Sequence, residues 1–574
     1  MLQCKKLPVT LYERYDREGS SHGSKKRKRE RELPQEWAIS SEDSGRCDEL
    51  LSEAIYSSGI PFSFVENPAF IAFLNRLRPA YKPPTRWRVA NTLLEEAYDR
   101  TKLHMEKVLE DAGRQVTLVS DGWTNQRSES VINYIAVTRQ EAIFLKAETT
   151  GSARHSSELI ANGLKKTIEE LGGTDKVVAV VTDNASNMKG SWAALEESYP
   201  GLVTAGCASH IVNLCVEEIL GISDINKLLK IACELVKYFK SSYLRTGLLE
   251  DAAKAAGVAR KSLKMPGNTR WQGKLETVKS IRENRDHITA ALGDENAVLG
   301  GKPLQEARDK YVRIRSIVYS YGFWEKLHAL ELFLEPFLKV TIALESNRSK
   351  ASRIYAYFQY LLRHTAYTTA LDFEQIRTII SKRFAQTHKS IYTIAYICDP
   401  SARKEQDVPI SAGLKDEMAD YLYKHYNGDE EQAAGVYKEL LDCWNRTGVF
   451  QNNIRWASFV NYRDPADWWR LQDCTQHLKD LAIYALSINP TTGAAERNWS
   501  VHGFLHNKSR NRLSNPRVEK LVYLFQNLRV RDQILTHNTE YFDTLEVNAA
   551  DLEDDDDDEF VPIEHVQKVE ESAV

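Results

Sequence analysis

The sequence lacks the features that would place it in several common classes of protein. Its eight cysteines form no C-x-x-C pair, which argues against a disulfide framework or a four-cysteine zinc site and predicts reduced thiols. No stretch reaches about 18 uninterrupted apolar residues, so a membrane-spanning helix is not expected. The first residues have no apolar core after their basic side chains, and a secretory signal is not expected either. An intracellular protein is therefore predicted.

Charge is distributed unevenly along the chain. The formal net charge is −4, but residues 551–559 (DLEDDDDDE) contribute eight carboxylates, and without them the balance would be +4. We interpret this tail as a disordered, solvated segment, and competition with DNA for a basic groove is the alternative. Residues 25–31 (KKRKRER) hold six basic side chains in seven positions. This pattern is typical of a nuclear-localisation segment, and an ordinary basic linker is the alternative.

The chain divides into six segments that differ in composition and in the spacing of their apolar residues, as expected for a chain too long for a single hydrophobic core. Apolar residues at helical spacing, such as Leu93, Leu94 and Ala97, predict helices on both sides of a β-rich region. The predicted order is a disordered basic N-terminus (1–47), a small helical domain (48–112), the first part of an α/β core (113–222), a large all-α insertion (223–470), a C-terminal helical region (471–532) and a disordered acidic tail (533–574).

The β-rich region predicts a mixed sheet. The runs QVTLVSD, SVINYIAVTR and AIFLKAETT indicate a β-meander, and an amphipathic helix then leads to the continuous apolar run KVVAVVTD, which suits a buried strand. A short helix, the strand LVTAGC and another helix complete the order β-β-β-α-β-α-β-α. Topology rules favour the fourth strand beside the first, which predicts the strand order 3-2-1-4-5.

Two aspartates follow separate predicted strands of this sheet. Asp121 comes at the end of the first strand and Asp183 at the end of the fourth. Either one alone could simply begin a turn, but at the carboxyl ends of neighbouring strands the two would meet at one sheet edge. Carboxylates suit Mg²⁺ or Mn²⁺, and two such ions about 3.5–4 Å apart serve in-line phosphoryl displacement. The residues alone do not choose a third ligand among 80 acidic side chains.

Four sequence segments carry a resemblance to a known family. SDGWTN, VVTDNASNMKG, GCASHIVNL and AAERNWSVHGFLHNKSRNRLSNPRVEKLVYLFQNLR resemble, in order and spacing, the hAT superfamily of cut-and-paste DNA transposases, over residues 60–530. The resemblance implies a ribonuclease-H-like core that is interrupted by the all-α insertion before its last acidic residue. It also implies that Glu496 completes an Asp121, Asp183 and Glu496 triad that binds two Mg²⁺ or Mn²⁺ ions. In this family the metals activate water to cut at the transposon end, a 3′-hydroxyl then attacks target DNA, and hairpins remain on the flanking DNA.

Further DNA-binding residues are implied by the same resemblance. His210, in the C-x-x-H motif that begins at Cys207, is expected near the active site, and Arg497 beside the glutamate is expected to contact DNA. Arg270 and Trp271 match an Arg-Trp pair whose indole is expected to stack on an unpaired base. The alternatives are a helix-start histidine without a ligand role and a tryptophan packed in the helical core.

The C-terminal region is implied to form a homodimer or higher oligomer. Large apolar residues recur at helical spacing between residues 467 and 530, and internal core packing is the alternative explanation. Family members usually begin with a BED-type zinc finger of two cysteines and two histidines. This sequence offers only Cys4, His22 and Cys47 in that region, from which no finger can be built at the required spacing.

Two functions are therefore expected as alternatives. The first is a metal-dependent DNA transposase or nuclease that cuts and joins DNA in the nucleus. The second is a domesticated nuclear protein that binds DNA and dimerises without catalysis. A different ribonuclease-H-like nuclease is a weaker third reading, because it gives no reason for the Arg270-Trp271 pair or the C-terminal motif.

Overall fold

The structure is a computed structural model that describes residues 38–536, except 114, 125–128, 140, 152–155, 268–269, 301–303, 347–348, 365–372, 402–409, 463, 507–509 and 511–512. The predicted nuclear-localisation segment (25–31) lies outside the described residues, as does the predicted acidic tail except for residues 533–536, which are helical. Within them, the chain forms two compact units, one of residues 38–52 and 60–93 and the other of residues 53–59 and 94–536. The predicted domain boundaries are not tested by this division.

The smaller unit is helical. Its helices are α1 (Ser41–Ser58, whose last turns belong to the larger unit), α2 (Pro68–Leu77) and α3 (Arg86–Ala90). Asp48 is buried and accepts hydrogen bonds from the Tyr81 hydroxyl at 2.8 Å and from Arg88 at 2.6 Å. A buried carboxylate needs such partners, and these two bonds connect α1 to the segment around α3.

The larger unit is built on a five-stranded mixed sheet. The strands are β1 (Val116–Thr124), β2 (Ser130–Val137), β3 (Ala142–Gly151), β4 (Val177–Thr182) and β5 (Val203–Gly206). Their order is β3-β2-β1-β4-β5, with β1 antiparallel to β2, β2 antiparallel to β3, and β4 parallel to both β1 and β5. The predicted strand order is confirmed, and it fits a ribonuclease-H-like core.

Helices cover both faces of the sheet. Helices α5 (Ser157–Leu171), α6 (Ser186–Ser198) and α7 (Ala208–Leu220) connect or follow the last strands. Helix α5 begins where Ser156 caps the Leu159 amide at 3.2 Å and ends at Gly172, whose φ of 105° suits glycine. On one face, Ile160, Leu164 and Leu195 pack against apolar strand residues. On the other, α4 (Thr92–Asp111) and the last helix contribute Met105 and Val530.

Every described element after β5 is a helix. Apart from α7 and three short 3-10 helices, they are α8 (Ser223–Lys240), α9 (Tyr243–Ala255), α10 (Gln272–Glu283), α11 (Arg285–Ala291), α12 (Glu295–Leu299), α13 (Gln305–Val318), α14 (Tyr321–Glu345), α15 (Ile354–His364), α16 (Phe373–Thr387), α17 (Ser390–Cys398), α18 (Ala412–His425), α19 (Glu430–Asn445), α20 (Asn453–Ala457), α21 (Pro465–Arg470), α22 (Gln476–Leu486), α23 (Gly493–Leu505) and α24 (Asn515–Thr536).

The last two helices return to the sheet. Asn527 of α24 exchanges two hydrogen bonds with the backbone of Phe144 on β3, at 2.8 and 3.1 Å. Among the described helices, none is both long enough and apolar enough to cross a bilayer. The seven cysteines in the described part of the chain form no disulfide in this structure.

Candidate active site

Asp121 lies within β1, three residues before the strand ends, and not at the strand end as the sequence suggested. Its backbone N–H donates to Oδ1 of Asn133 on β2 at 3.0 Å. Its carboxylate accepts hydrogen bonds on both oxygens, from the Gly122 amide at 2.9 Å and from the Trp499 indole at 3.0 Å. The strand continues beyond the aspartate because β2 keeps pairing with it as far as Thr124.

Asp183 directly follows β4, as predicted. Since Ser120 of β1 and Thr182 of β4 are partners in the parallel register, the next residues, Asp121 and Asp183, occupy adjacent positions of the sheet. The Asp183 carboxylate also accepts a bond from the Ala185 amide at 2.8 Å. It therefore shapes the turn into α6 as well as facing the neighbouring strand.

Glu496 lies in the first turn of α23. The guanidinium of Arg270, just before α10, forms an ion pair with its Oε2 at 3.3 Å. Both side chains are partly exposed, at 60% for Arg270 and 32% for Glu496. The structure thus brings the two family motifs together across the helical region, although they are far apart in sequence.

The three acids interact electrostatically. Burial raises the pKa of Asp121, the negative charges of Asp183 and Glu496 raise it further, and the Trp499 and Gly122 hydrogen bonds oppose them, so that the pKa of Asp121 reaches about 7. Carboxylates from β1, the end of β4 and α23 therefore lie close enough for their charges to repel. Such repulsion in a partly dehydrated site is relieved by a cation.

The donor chemistry of this cluster fits a hard divalent cation. In the described residues, however, no three acidic, histidine or cysteine side chains are close enough to bind one ion together. An ion here would have fewer than three ligands from Asp121, Asp183 and Glu496 in the present arrangement, with water in the other positions, as Mg²⁺ commonly has.

The C-x-x-H motif lies at the start of α7. The Cys207 amide donates to the Thr182 carbonyl at 2.8 Å, and its thiol accepts from the Thr492 amide at 3.2 Å. Burial, followed by the charge of Glu496, raises the pKa of Cys207 to about 11, so this thiol stays protonated. Through its amide and its thiol together, Cys207 joins β4 to the segment before α23. Burial lowers the pKa of His210, while Asp183 raises it. His210 therefore lies within electrostatic reach of the acidic cluster.

Arg497 has an internal contact. Its guanidinium donates to the carbonyl of Glu345, at the last turn of α14. A side chain at Gly493 would put its Cβ 2.8 Å from the same carbonyl oxygen, so glycine allows α23 to approach α14 closely. Arg497 thus anchors the helix that carries Glu496, and its DNA contact stays a prediction.

Trp271 is a core residue in this structure. It is only 1% exposed, and its indole N–H donates to Oδ1 of Asn213 on α7 at 2.9 Å. This position corresponds to the core-packing alternative. Base stacking stays a prediction that requires the ring to leave this contact.

Asn133, Asn498 and Trp499 contact the site but were not predicted. Asn133 and Asn498 are fully buried amides, and Trp499 stacks on Trp123 with ring centroids 5.2 Å apart. One signal was present in the sequence, because Asn133 is a lone amide in the otherwise apolar run VINYIAV. A buried amide in such a run needs specific partners.

Three families match consecutive parts of the chain. Residues 84–235 match a domain of unknown function, DUF659. Residues 205–314 match the ZBED1 RNase-like helical domain, and residues 437–528 match the hAT family C-terminal dimerisation region. The last match is to a transposase family; it overlaps the predicted C-terminal region (471–532) but begins at residue 437, within the predicted insertion.

Curated relatives agree with this class. The chain is 22% identical to a Zea mays protein named as an AC transposase and 22% identical to human zinc finger BED domain-containing protein 4, over 82% and 83% of its length. It is also 27% identical, over 31% of its length, to a protein of Talaromyces stipitatus named as a transcriptional regulator, tpeD. The alignments cover 63%, 43% and 23% of those three relatives, respectively. The resemblance to hAT transposases that the motifs predicted is confirmed by these similarities.

Proposed function

We propose that this protein cleaves and joins DNA in a metal-dependent reaction for which Asp121, Asp183 and Glu496 hold two Mg²⁺ or Mn²⁺ ions. The observation that carries the proposal is the mutual repulsion of the three acids, which with burial raises the pKa of Asp121 to about 7. The similarity to an AC transposase supports the same reaction class. Bound ions would supply the positive charge that stabilises the attacking and leaving oxygens of a phosphoryl displacement.

The protein's own residues would arrange this reaction. Trp499 and Gly122 direct both oxygens of Asp121, which fixes the orientation of that carboxylate. His210 and Arg270 lie beside the cluster and are proposed to contact the scissile strand. Arg270 would exchange its carboxylate partner for a phosphate, a group that guanidinium binds well.

The proposed partners are DNA and further copies of this chain. The match of residues 437–528 to a dimerisation region supports a homodimer or higher oligomer. Nuclear localisation is proposed from KKRKRER alone. Three of the large apolar residues of this region, Trp468, Trp469 and Phe525, are buried within the chain, so the dimer surface would consist of other residues of this region.

Nicking assays test the catalytic proposal. The full chain is incubated with supercoiled DNA and Mn²⁺ or Mg²⁺, alongside Asp121→Asn, Asp183→Asn and Glu496→Gln. Asp224→Asn serves as the control, because Asp224 is 92% exposed at the start of α8 and belongs to no acidic cluster of the site. We expect nicking by the wild type and the control, and loss in all three triad variants. Equal nicking by every variant would reject the triad.

A second candidate is a nuclear DNA-binding protein without catalysis. Two observations favour it: the similarity to a protein named as a transcriptional regulator, and the ion pair in which Arg270 already neutralises Glu496. This function predicts DNA binding that weakens with salt but is unchanged in the three triad variants. Wild-type protein that binds DNA but never nicks it would favour this second function over the first.

A further inference from the structure

We infer that Asn133 is a positioning residue that sets the distance between Asp121 and Glu496. The inference rests on the proposed function, because it concerns the geometry of the proposed metal ligands. It deepens that function by naming an uncharged side chain on which metal affinity depends.

Asn133 contacts the backbone of both acidic segments. Its side chain is fully buried, and its Oδ1 accepts the backbone N–H of Asp121 at 3.0 Å. Its Nδ2 donates to the carbonyl of Ala495, the residue before Glu496, at 3.1 Å. One amide therefore connects the strand of the first acid to the helix of the third.

The orientation of this amide is fixed by its neighbours. The Nδ2 of Asn133 also donates to Oδ1 of Asn498 at 3.1 Å, and the Nδ2 of Asn498 donates to Oε1 of Gln526 on α24 at 2.7 Å. Asn133 and Asn498 each use the side-chain oxygen as an acceptor on one side and the side-chain nitrogen as a donor on the other. Rotating any of them by 180° would oppose donor to donor or acceptor to acceptor, which is costly in a buried site.

The contact matters because sequence proximity does not hold the two acids together. Asn133 and Ala495 are 362 positions apart, so tertiary contacts must set the spacing of β1 and α23. The Trp499 indole provides a second contact, but it bonds to the Asp121 carboxylate itself. Asn133 reaches the two acidic segments through backbone atoms of Asp121 and Ala495, so it can hold both segments whether or not the carboxylates bind an ion.

The chain offers a matched control for the loss of a buried amide. Asn527 is also fully buried, and it also joins a strand to a helix, through two hydrogen bonds between α24 and Phe144 of β3. Among the described residues, these hydrogen bonds of Asn527 involve none of the three acids and no residue of α23. Asn133→Leu and Asn527→Leu therefore remove comparable buried hydrogen bonds from the same sheet, at different distances from the acidic cluster.

The test measures Mn²⁺ affinity of the full chain by electron paramagnetic resonance of free Mn²⁺, with thermal unfolding measured in parallel. We expect both leucine variants to unfold at lower temperature than the wild type. Only Asn133→Leu should weaken Mn²⁺ binding, by about 10–100-fold, the usual effect of removing a group that supports metal ligands. If Asn133→Leu does not fold, Asn133→Ser keeps a buried polar group that is too short to reach Ala495, and it should also weaken binding.

The outcomes separate this inference from the proposed function. Equal Mn²⁺ affinity in Asn133→Leu (or Asn133→Ser), Asn527→Leu and wild type would overturn the positioning role while leaving the metal site intact. The proposed function would instead be overturned if the wild type did not bind Mn²⁺, or if Asp121→Asn bound Mn²⁺ as tightly as the wild type.

Discussion

The indole N–H of Trp499 donates a 3.0 Å hydrogen bond to Oδ2 of Asp121, a residue 378 positions earlier in the chain. The bond joins α23 to β1 and lowers the pKa of an aspartate that burial and two neighbouring acids raise. A phenylalanine at this position would have no N–H to donate. The tryptophan of this chain therefore has an electrostatic role that is additional to packing.

Replacing Trp499 by phenylalanine should weaken metal binding at neutral pH. Trp499→Phe keeps an aromatic ring against Trp123 but removes the donor, so the pKa of Asp121 should rise further and more of the carboxyl should be protonated at pH 7. Mn²⁺ titration calorimetry should show lower affinity at pH 7 and a smaller difference from wild type at pH 9. Trp123→Phe is the control, and equal effects of both substitutions at every pH would contradict the prediction.

The raised pKa of Asp121 predicts a pH-dependent stability of the metal-free protein. A carboxyl whose folded pKa lies above its unfolded value stabilises the fold below the unfolded pKa, and this contribution is lost as pH rises through the folded pKa. For a rise from 3.8 to about 7, the loss is on the order of 4 kcal/mol between acidic and weakly alkaline pH. Asp121→Asn removes this pH-dependent contribution to the free energy of unfolding, although it also loses one of the two hydrogen bonds that the carboxylate accepts.

Denaturant unfolding in the presence of a chelator measures this effect. The free energy of unfolding of wild type relative to Asp121→Asn should fall as pH rises from about 4 to about 8. Added Mn²⁺ should reverse the difference at the higher pH, because only the wild type retains the full set of anionic ligands. Parallel pH profiles for the two proteins would contradict the prediction.

The sequence predicted the sheet better than the details of the site. The strand order followed from the alternation of apolar runs and the crossover rule, since both depend on local pattern and chain handedness. The position of Asp121 inside β1 depends on pairing with β2 up to Thr124, which is a tertiary property. Arg270 beside Glu496 depends on how the helical region folds back, and the resemblance named both residues without predicting their ion pair.

Burial of the aromatic residues was also beyond sequence reasoning. Trp271 and Trp468 are both buried, but the helical spacing of apolar residues in the sequence does not distinguish a buried ring from an exposed one. Only the surrounding helices decide which face is covered. The polar contacts of Asn133 could not be predicted either, because a single asparagine in an apolar strand does not indicate which distant carbonyl it contacts.

Truncation of Trp271 should destabilise the protein. Trp271→Ala leaves a cavity between α7 and α10 and removes the donor to Asn213, so the free energy of unfolding should fall by about 3–5 kcal/mol. Urea unfolding measures this cost. A change below about 1 kcal/mol would mean that the indole contributes little to the core, and would favour the base-stacking role.

The exposed apolar residues of the dimerisation region provide a test of assembly. Ile454 is 78% exposed and Leu471 is 66% exposed, and both lie within the matched region. The double substitution Ile454→Asp with Leu471→Asp should yield a monomer in light scattering without lowering the unfolding temperature, since neither side chain belongs to the core. Leu332→Asp, at a 45% exposed position outside that region, should leave the assembly unchanged.

Removal of Arg270 distinguishes two roles for its ion pair with Glu496. If the guanidinium acts as an internal substitute for a metal ion, Arg270→Ala should tighten Mn²⁺ binding. The gain should be no more than about fivefold, because a partly exposed pair contributes up to about 1 kcal/mol. Arg270→Lys keeps the charge and should remain near the wild-type affinity. Weaker Mn²⁺ binding in Arg270→Ala would mean instead that Arg270 orients Glu496 toward the cation. The ion pair would then support metal binding rather than compete with it.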